Sequence, residues 1–210
     1  MSNADFLPNT DSLMDTDPAE ALLRLLEAEP DVARTLDLVA DFDITRRDPR
    51  ARLAIPSGLP LIPIAADGAG GTYYLVGGPQ EPRRPVLYAD RQGCATLIAE
   101  DLAEALAIFI ALGFWHEAGH GFPLATTEQN LRDSEPDIDT TRAALYAATG
   151  IDPLTAEQAR DRLLSAAART APDYVAMAEG PGARPYQLLF GPPRGIAGAA
   201  WRPVGASGLR

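Results

Sequence analysis

The segment His116-Glu117-Ala118-Gly119-His120 holds both histidines of the chain, four positions apart, with a glutamate after the first. On a helix that spacing puts two imidazoles on one face, where they can bind Zn²⁺, with the glutamate beside them as general base for a zinc-bound water. The surroundings work against this chemistry. Gly113 separates the segment from the apolar run before it, Gly119 and Gly121 each cost about 1 kcal/mol of helix propensity relative to alanine, and Pro123 follows at once. A third ligand would have to be Glu128, Asp133, Glu135, Asp137 or Asp139, because no histidine lies downstream. The reading adopted is a helix-end loop with Phe114 and Trp115 packed inward, with no catalytic residue, no metal and no cofactor. A small zinc-dependent hydrolase using His116, Glu117 and His120 is the alternative.

Other reactive types fare no better. The glycines at Asp67-Gly68-Ala69-Gly70-Gly71 suggest a phosphate cradle, but a strand pattern follows instead of a helix, and a chain without lysine cannot supply the P-loop lysine. They read as a hairpin turn in which Gly68 or Gly71 takes a positive φ. Ser207 lacks the second glycine of a nucleophile elbow. Cys94, the single cysteine, starts a strand and reads as core-facing. Tyr73, Tyr74 and Tyr88 alternate along strands, so some must leave the core face and offer a protein-binding platform.

These residues have to be positioned by an α+β fold. Asp17, Pro18 and Glu20 open a helix carrying Leu22, Leu23, Leu25 and Leu26; Pro30 ends it, and a second short helix starts at Asp31. The arginines at 46, 47, 50 and 52 read as a solvated linker that meets the acidic N-terminal helices. Four short runs rich in β-branched and tyrosine residues follow: Leu59 to Ala65, Thr72 to Val76, Pro85 to Ala89 and Cys94 to Ala99. Separated by glycine-bearing turns, they predict a four-stranded or larger antiparallel meander packed with helices. Pro60 and Pro63 place the first run at an edge or on a bulge. Asp101 and Glu104 then cap the most apolar helix, which includes Phe109 and ends near Gly113. Thr126 with Gln129 and Thr155 with Gln158 have capping-box spacing, Gly150 suits a helix C-terminus, and helix is expected up to about Thr170. The chain divides into a disordered acidic N-terminus (1–16), a single domain with a C-terminal helical extension (17–178), and a Gly/Pro-rich tail (179–210) with a docked segment near 186–190.

Charge narrows the partners. The chain has 210 residues and a formal charge of −11, all 18 basic residues being arginine. A surface of that sign repels phosphate, which argues against nucleic acid. Residues 1–43 hold eleven carboxylates against Arg24 and Arg34, and Glu128, Asp133, Glu135, Asp137 and Asp139 face Arg132 alone. Two acidic surfaces suited to a basic protein are expected, with Glu128, Asp133 and Glu135 as contact residues. The apolar run Leu102 to Trp115, broken by Glu104, is shorter than the roughly 20 residues a membrane span needs. With one cysteine and no basic leader, the chain reads as cytoplasmic.

From Leu59 through Leu75 the sequence reads Leu-Pro-Leu-Ile-Pro-Ile-Ala-Ala-Asp-Gly-Ala-Gly-Gly-Thr-Tyr-Tyr-Leu. An apolar strand, an Asp-Gly-x-Gly turn and a second strand starting near an aromatic residue resemble the central signature of the SUKH superfamily. The likeness continues through Pro85-Val86-Leu87-Tyr88 and the helix from Asp101, covering about residues 55 to 115. It implies helices around an antiparallel sheet and a non-catalytic protein-binding role. Many members are immunity proteins that neutralise a toxin by direct binding, so the implied partner is a basic toxin domain. The family has no shared catalytic motif to carry over.

Overall fold

Asp17 starts the described part of the chain by accepting a hydrogen bond from the Ala19 amide at 2.9 Å, which caps α1 (Pro18–Ala28). The computed structural model describes residues 17–49, 51–180 and 184–190. The expected capping box does not close, because the second carboxylate oxygen of Asp17 goes to Arg84 at 2.6 Å. α1 ends as expected before Pro30, at Ala28 with Glu29 as its C-cap, and Pro30 is also the first residue of α2 (Pro30–Ala40), where a missing N–H costs no hydrogen bond. The arginine linker does meet the acidic helices, through Arg47 to Glu27 at 2.8 Å.

The architecture is α+β: a five-stranded, mostly antiparallel sheet packed with helices. After the two-residue β1 (Leu53–Ala54), the chain lays down β2 (Leu61–Ala66), β3 (Thr72–Val76), β4 (Val86–Ala89) and β5 (Cys94–Ala99) as an antiparallel meander. β2 lies at an edge and its register slips between Pro63 and Ala65, as the two prolines require.

Helices follow: α3 (Leu102–Ala111), α4 (Trp115–Gly119), α5 (Leu124–Ser134), α6 (Ile138–Thr149) and α7 (Ala156–Ala168). Asp101 caps α3 through the Glu104 amide, and a full capping box joins Thr155 to Gln158 at the start of α7. Gly150 closes α6 in the left-handed region, φ 68°. The spacing of Thr126 and Gln129 misled: α5 starts two residues earlier behind Pro123, so Thr126 is already inside the helix. Two further strands complete the fold. β6 (Met177–Ala178) pairs antiparallel with β1, and β7 (Gln187–Leu188) adds a fifth, parallel strand beside β5.

Both faces of the sheet are covered. On one, Tyr73, Leu75, Val86, Tyr88 and Ile98 pack with Leu26, Leu36, Phe109 and Trp115 from the helices. On the other, Tyr74, Val76, Leu87 and Leu97 pack with Ile55, Ala166 and Ala176. Every residue of β3 and β4 is buried in consequence. No described helix is long and apolar enough to cross a membrane.

Candidate functional site

The expected helix-end loop is instead a short helix of its own, begun afresh after the Gly113 break. α4 spans five residues, and His120 already stands at its C-cap. Leu112 caps α3, leaving Gly113 to turn the chain where a Cβ would press on the Val39 carbonyl. Phe114 and Trp115 are buried, at 8% and 2% exposure, while Glu117 and His120 are exposed. Each imidazole is held by aromatic rings. His116 stacks on Trp115 with centroids 3.6 Å apart and meets Tyr88 edge-on at 5.2 Å, whereas His120 meets Phe190 edge-on at 5.2 Å. Among the described residues, no group of three or more His, Cys, Asp or Glu side chains converges as a metal site would require. Burial pushes the His116 pKa below its ordinary value, although the charges of Asp67 and Glu117 pull the other way.

Beneath His116 lies a carboxylate that sequence reasoning treated only as part of a turn. Asp67 is 3% exposed, with one oxygen accepting from the Gly71 amide at 2.6 Å and the other from the Tyr88 hydroxyl at 2.5 Å. Burial, reinforced by this bond and by the Asp67 charge, holds the Tyr88 phenol far above its ordinary pKa, so it stays a donor. The positive φ of this turn falls on Gly70, at 87°, and on neither Gly68 nor Gly71. Gly71 is needed for another reason: a Cβ there would collide with the Tyr88 hydroxyl. From outside, the Asp41 carboxylate accepts from the Gly68 amide at 2.6 Å, and Arg46 donates to the Asp67 carbonyl at 3.1 Å. Asp41 itself takes a left-handed conformation, φ 52°, at the end of α2. The result is a clasped turn in which Asp67 is buried.

Tyr73, Tyr74 and Tyr88 are 0%, 3% and 2% exposed. Alternation sends them to opposite faces as expected, but both faces are covered, so the three form packing instead of a platform. Burial also raises the Tyr74 phenol to about 12. Cys94 is half-buried, its amide donating to Asp90 at 2.7 Å. Ser207 and residues 1–16 lie outside the described residues.

The acidic surfaces divide. Glu128 is bound by Arg142 at 2.5 and 3.2 Å and by Arg132 at 2.9 Å, so it braces α5 against α6. Asp133 and Glu135 are exposed, Asp133 accepting from Gln129 at 2.8 Å. At the other end, α1, α2 and the 43–47 loop enclose a cleft of about 720 Å³ in which apolar Leu26, Ala33 and Ile44 stand beside three carboxylates, Glu27, Asp37 and Asp43, and two guanidiniums, Arg34 and Arg47. Burial, with repulsion from Asp43 and Asp41, raises the Asp37 carboxyl above its ordinary pKa despite nearby Arg46. Burial would lift Asp43 as well, but hydrogen bonds from Thr45 and Arg46 hold it below. The sequence signalled this cleft through the carboxylates of residues 1–43 and the arginines expected to meet them, all its lining falling between Leu26 and Arg47.

Comparison with protein-family models, with curated proteins and with solved structures gives no match for this chain.

Proposed function

We propose that this chain is a non-catalytic protein-binding module that acts as an immunity-type protein, neutralising a basic toxin domain by direct contact. What supports the reading is the separation of chemistry from surface. Asp67 and Tyr88 hold a turn and His116 is stacked on Trp115, while Glu27, Asp37 and Asp43 outnumber Arg34 and Arg47 in the lining of the α1–α2 cleft. The resemblance of residues 55 to 115 to the SUKH superfamily points the same way. In the cleft, apolar Leu26, Ala33 and Ile44 suit the aliphatic stem of an arginine or lysine. Asp37 suits its charged head, which would relieve the repulsion from Asp41 and Asp43.

The test is to identify the protein that co-purifies from native extract and measure its association rate across salt. A basic partner should bind more slowly as the Debye length falls from about 10 Å at 0.1 M to about 3 Å at 1 M. Asp37→Asn should slow association at low salt. A rate that ignores salt, or a partner whose contact surface is acidic, overturns the electrostatic part of the proposal.

A further inference from the structure

Residues 186–190 fill a site formed by the rest of the chain. The Tyr186 amide donates to the Ala176 carbonyl at 2.7 Å, Gln187 to Gly93 at 2.7 Å and Leu189 to Ala95 at 3.1 Å. Their side chains reach two apolar regions: Tyr186 packs with the cluster on one sheet face, Leu189 and Phe190 with the cluster on the other, and Leu188 stays 40% exposed. The groove has a floor and an end. Its floor is Gly119, where a Cβ would fall inside the Phe190 ring, and Trp115 and His120 meet that ring edge-on at 6.1 and 5.2 Å. Its end is Thr170, whose hydroxyl takes the Leu97 amide at 2.9 Å and so stops the parallel ladder on β5.

We infer that the β5 edge and the Gly119 slot are a peptide-binding groove which residues 186–190 occupy as an intramolecular ligand. Its external ligand is an extended peptide segment of a partner, ending in Leu-Phe, that displaces them and adds parallel to β5. This is strand addition, in which main-chain bonds supply affinity and a pocket for one side chain supplies selectivity. A two-residue strand with both residues exposed opens locally at a fraction of the global unfolding cost. Gly119 has no conformational need to be glycine, since its φ is not in the left-handed region, and the room it leaves is taken by an aromatic ring. The groove shares no residue with the acidic cleft, and its recognition is apolar and main-chain.

The experiment uses the full chain and a fluorescent peptide of residues 184–190, Arg-Pro-Tyr-Gln-Leu-Leu-Phe. Phe190→Ala empties the slot, so the peptide should bind this variant saturably. It should bind the natural chain about tenfold more weakly or less, because the groove is then filled in cis. A Gly119→Ala change added to Phe190→Ala should remove that gain. A peptide with alanine in place of its phenylalanine should not bind the Phe190→Ala chain, which controls for any folding defect in the variants. In the natural chain, the Gln187 and Leu189 amides should exchange with deuterium well before those of β3. Peptide binding that ignores the phenylalanine or Gly119, no binding to Phe190→Ala, or exchange of the two amides only through global unfolding overturns the inference. Since no acidic-cleft residue takes part, failure here leaves the proposed toxin contact intact, and the reverse also holds.

Discussion

The turn at residues 67–71 and the α5–α6 hairpin are both organised by a carboxylate with several donors, yet they differ in what surrounds it. Asp67 is bound by one amide and one phenol inside an aromatic cluster, in which Phe42, Tyr73, Phe109 and Trp115 approach within 5.0 to 6.2 Å. Glu128 is bound by the mostly buried Arg142, 11% exposed, and by the more open Arg132, 44% exposed, on a helix whose one buried residue is Leu124; the buried Arg142 Nε has no hydrogen-bond partner among the described residues. A buried carboxylate that loses a donor has no water to replace it. Glu128 can recover part of such a loss from solvent and is screened by salt only on its Arg132 side. The first region should therefore behave as part of the cooperative core and the second as an attachment that opens by itself.

The largest effect expected on the core side is from Phe109→Ala, which removes a fully buried ring shared by Phe42, Tyr73 and Trp115. It should lower unfolding free energy by about 3–5 kcal/mol in denaturant titration. Near-native stability would detach α3 from the core. Tyr88→Phe comes next: it strands one oxygen of Asp67 and should cost about 1–3 kcal/mol, with little dependence on salt. A cost that vanishes at high salt would mean that water reaches Asp67.

On the hairpin side, raising salt from about 0.1 to 1 M should speed amide exchange in α5 and leave β3 unchanged. Equal response in both elements would erase the distinction between them. The smallest effect concerns pH. The folded-state pKa of His116 lies below its ordinary value of 6.5, so in acid the unfolded chain binds a proton that the folded chain resists. Stability should be fully present above that value and decline as pH falls through and below it. Asp67, Glu117 and Asp90 oppose the shift, and His120 adds to it. His116→Phe should flatten this part of the profile; an unchanged slope would assign it to other groups.

Zinc content offers a separate check on the motif that first drew attention. Protein purified without a histidine tag should contain no stoichiometric zinc. Zinc that is lost on changing His116 or His120 would restore the hydrolase reading.

Much of the framework was legible because it depends on short-range chemistry. The meander, the α3 start at Asp101, the capping box at Thr155 and the edge position of β2 follow from strand-forming residues, side chains that accept from nearby amides, and prolines that cannot donate. Failures arose where one local signal competed with another, as at Thr126, or where a glycine's role depended on a distant neighbour. Gly71 is set by Tyr88 and Gly119 by Phe190, 17 and 71 positions along the chain. Spacing along the sequence carries no information about such approaches.

For this protein the sequence by itself determined the α+β class, the order of its main elements and the excess of 29 acidic over 18 basic side chains. Each of these is a sum or a pattern over neighbours. Only the tertiary structure decided that Tyr73, Tyr74 and Tyr88 are all buried, that Asp67 is locked under His116, and that residues 186–190 return to β5 as a parallel strand. The physical reason is that burial and strand pairing are set by what lies opposite in space. The second face of the sheet was closed by Ile55, just before β2, and by Ala166 and Ala176 from far along the chain, which no periodicity in the strands could announce.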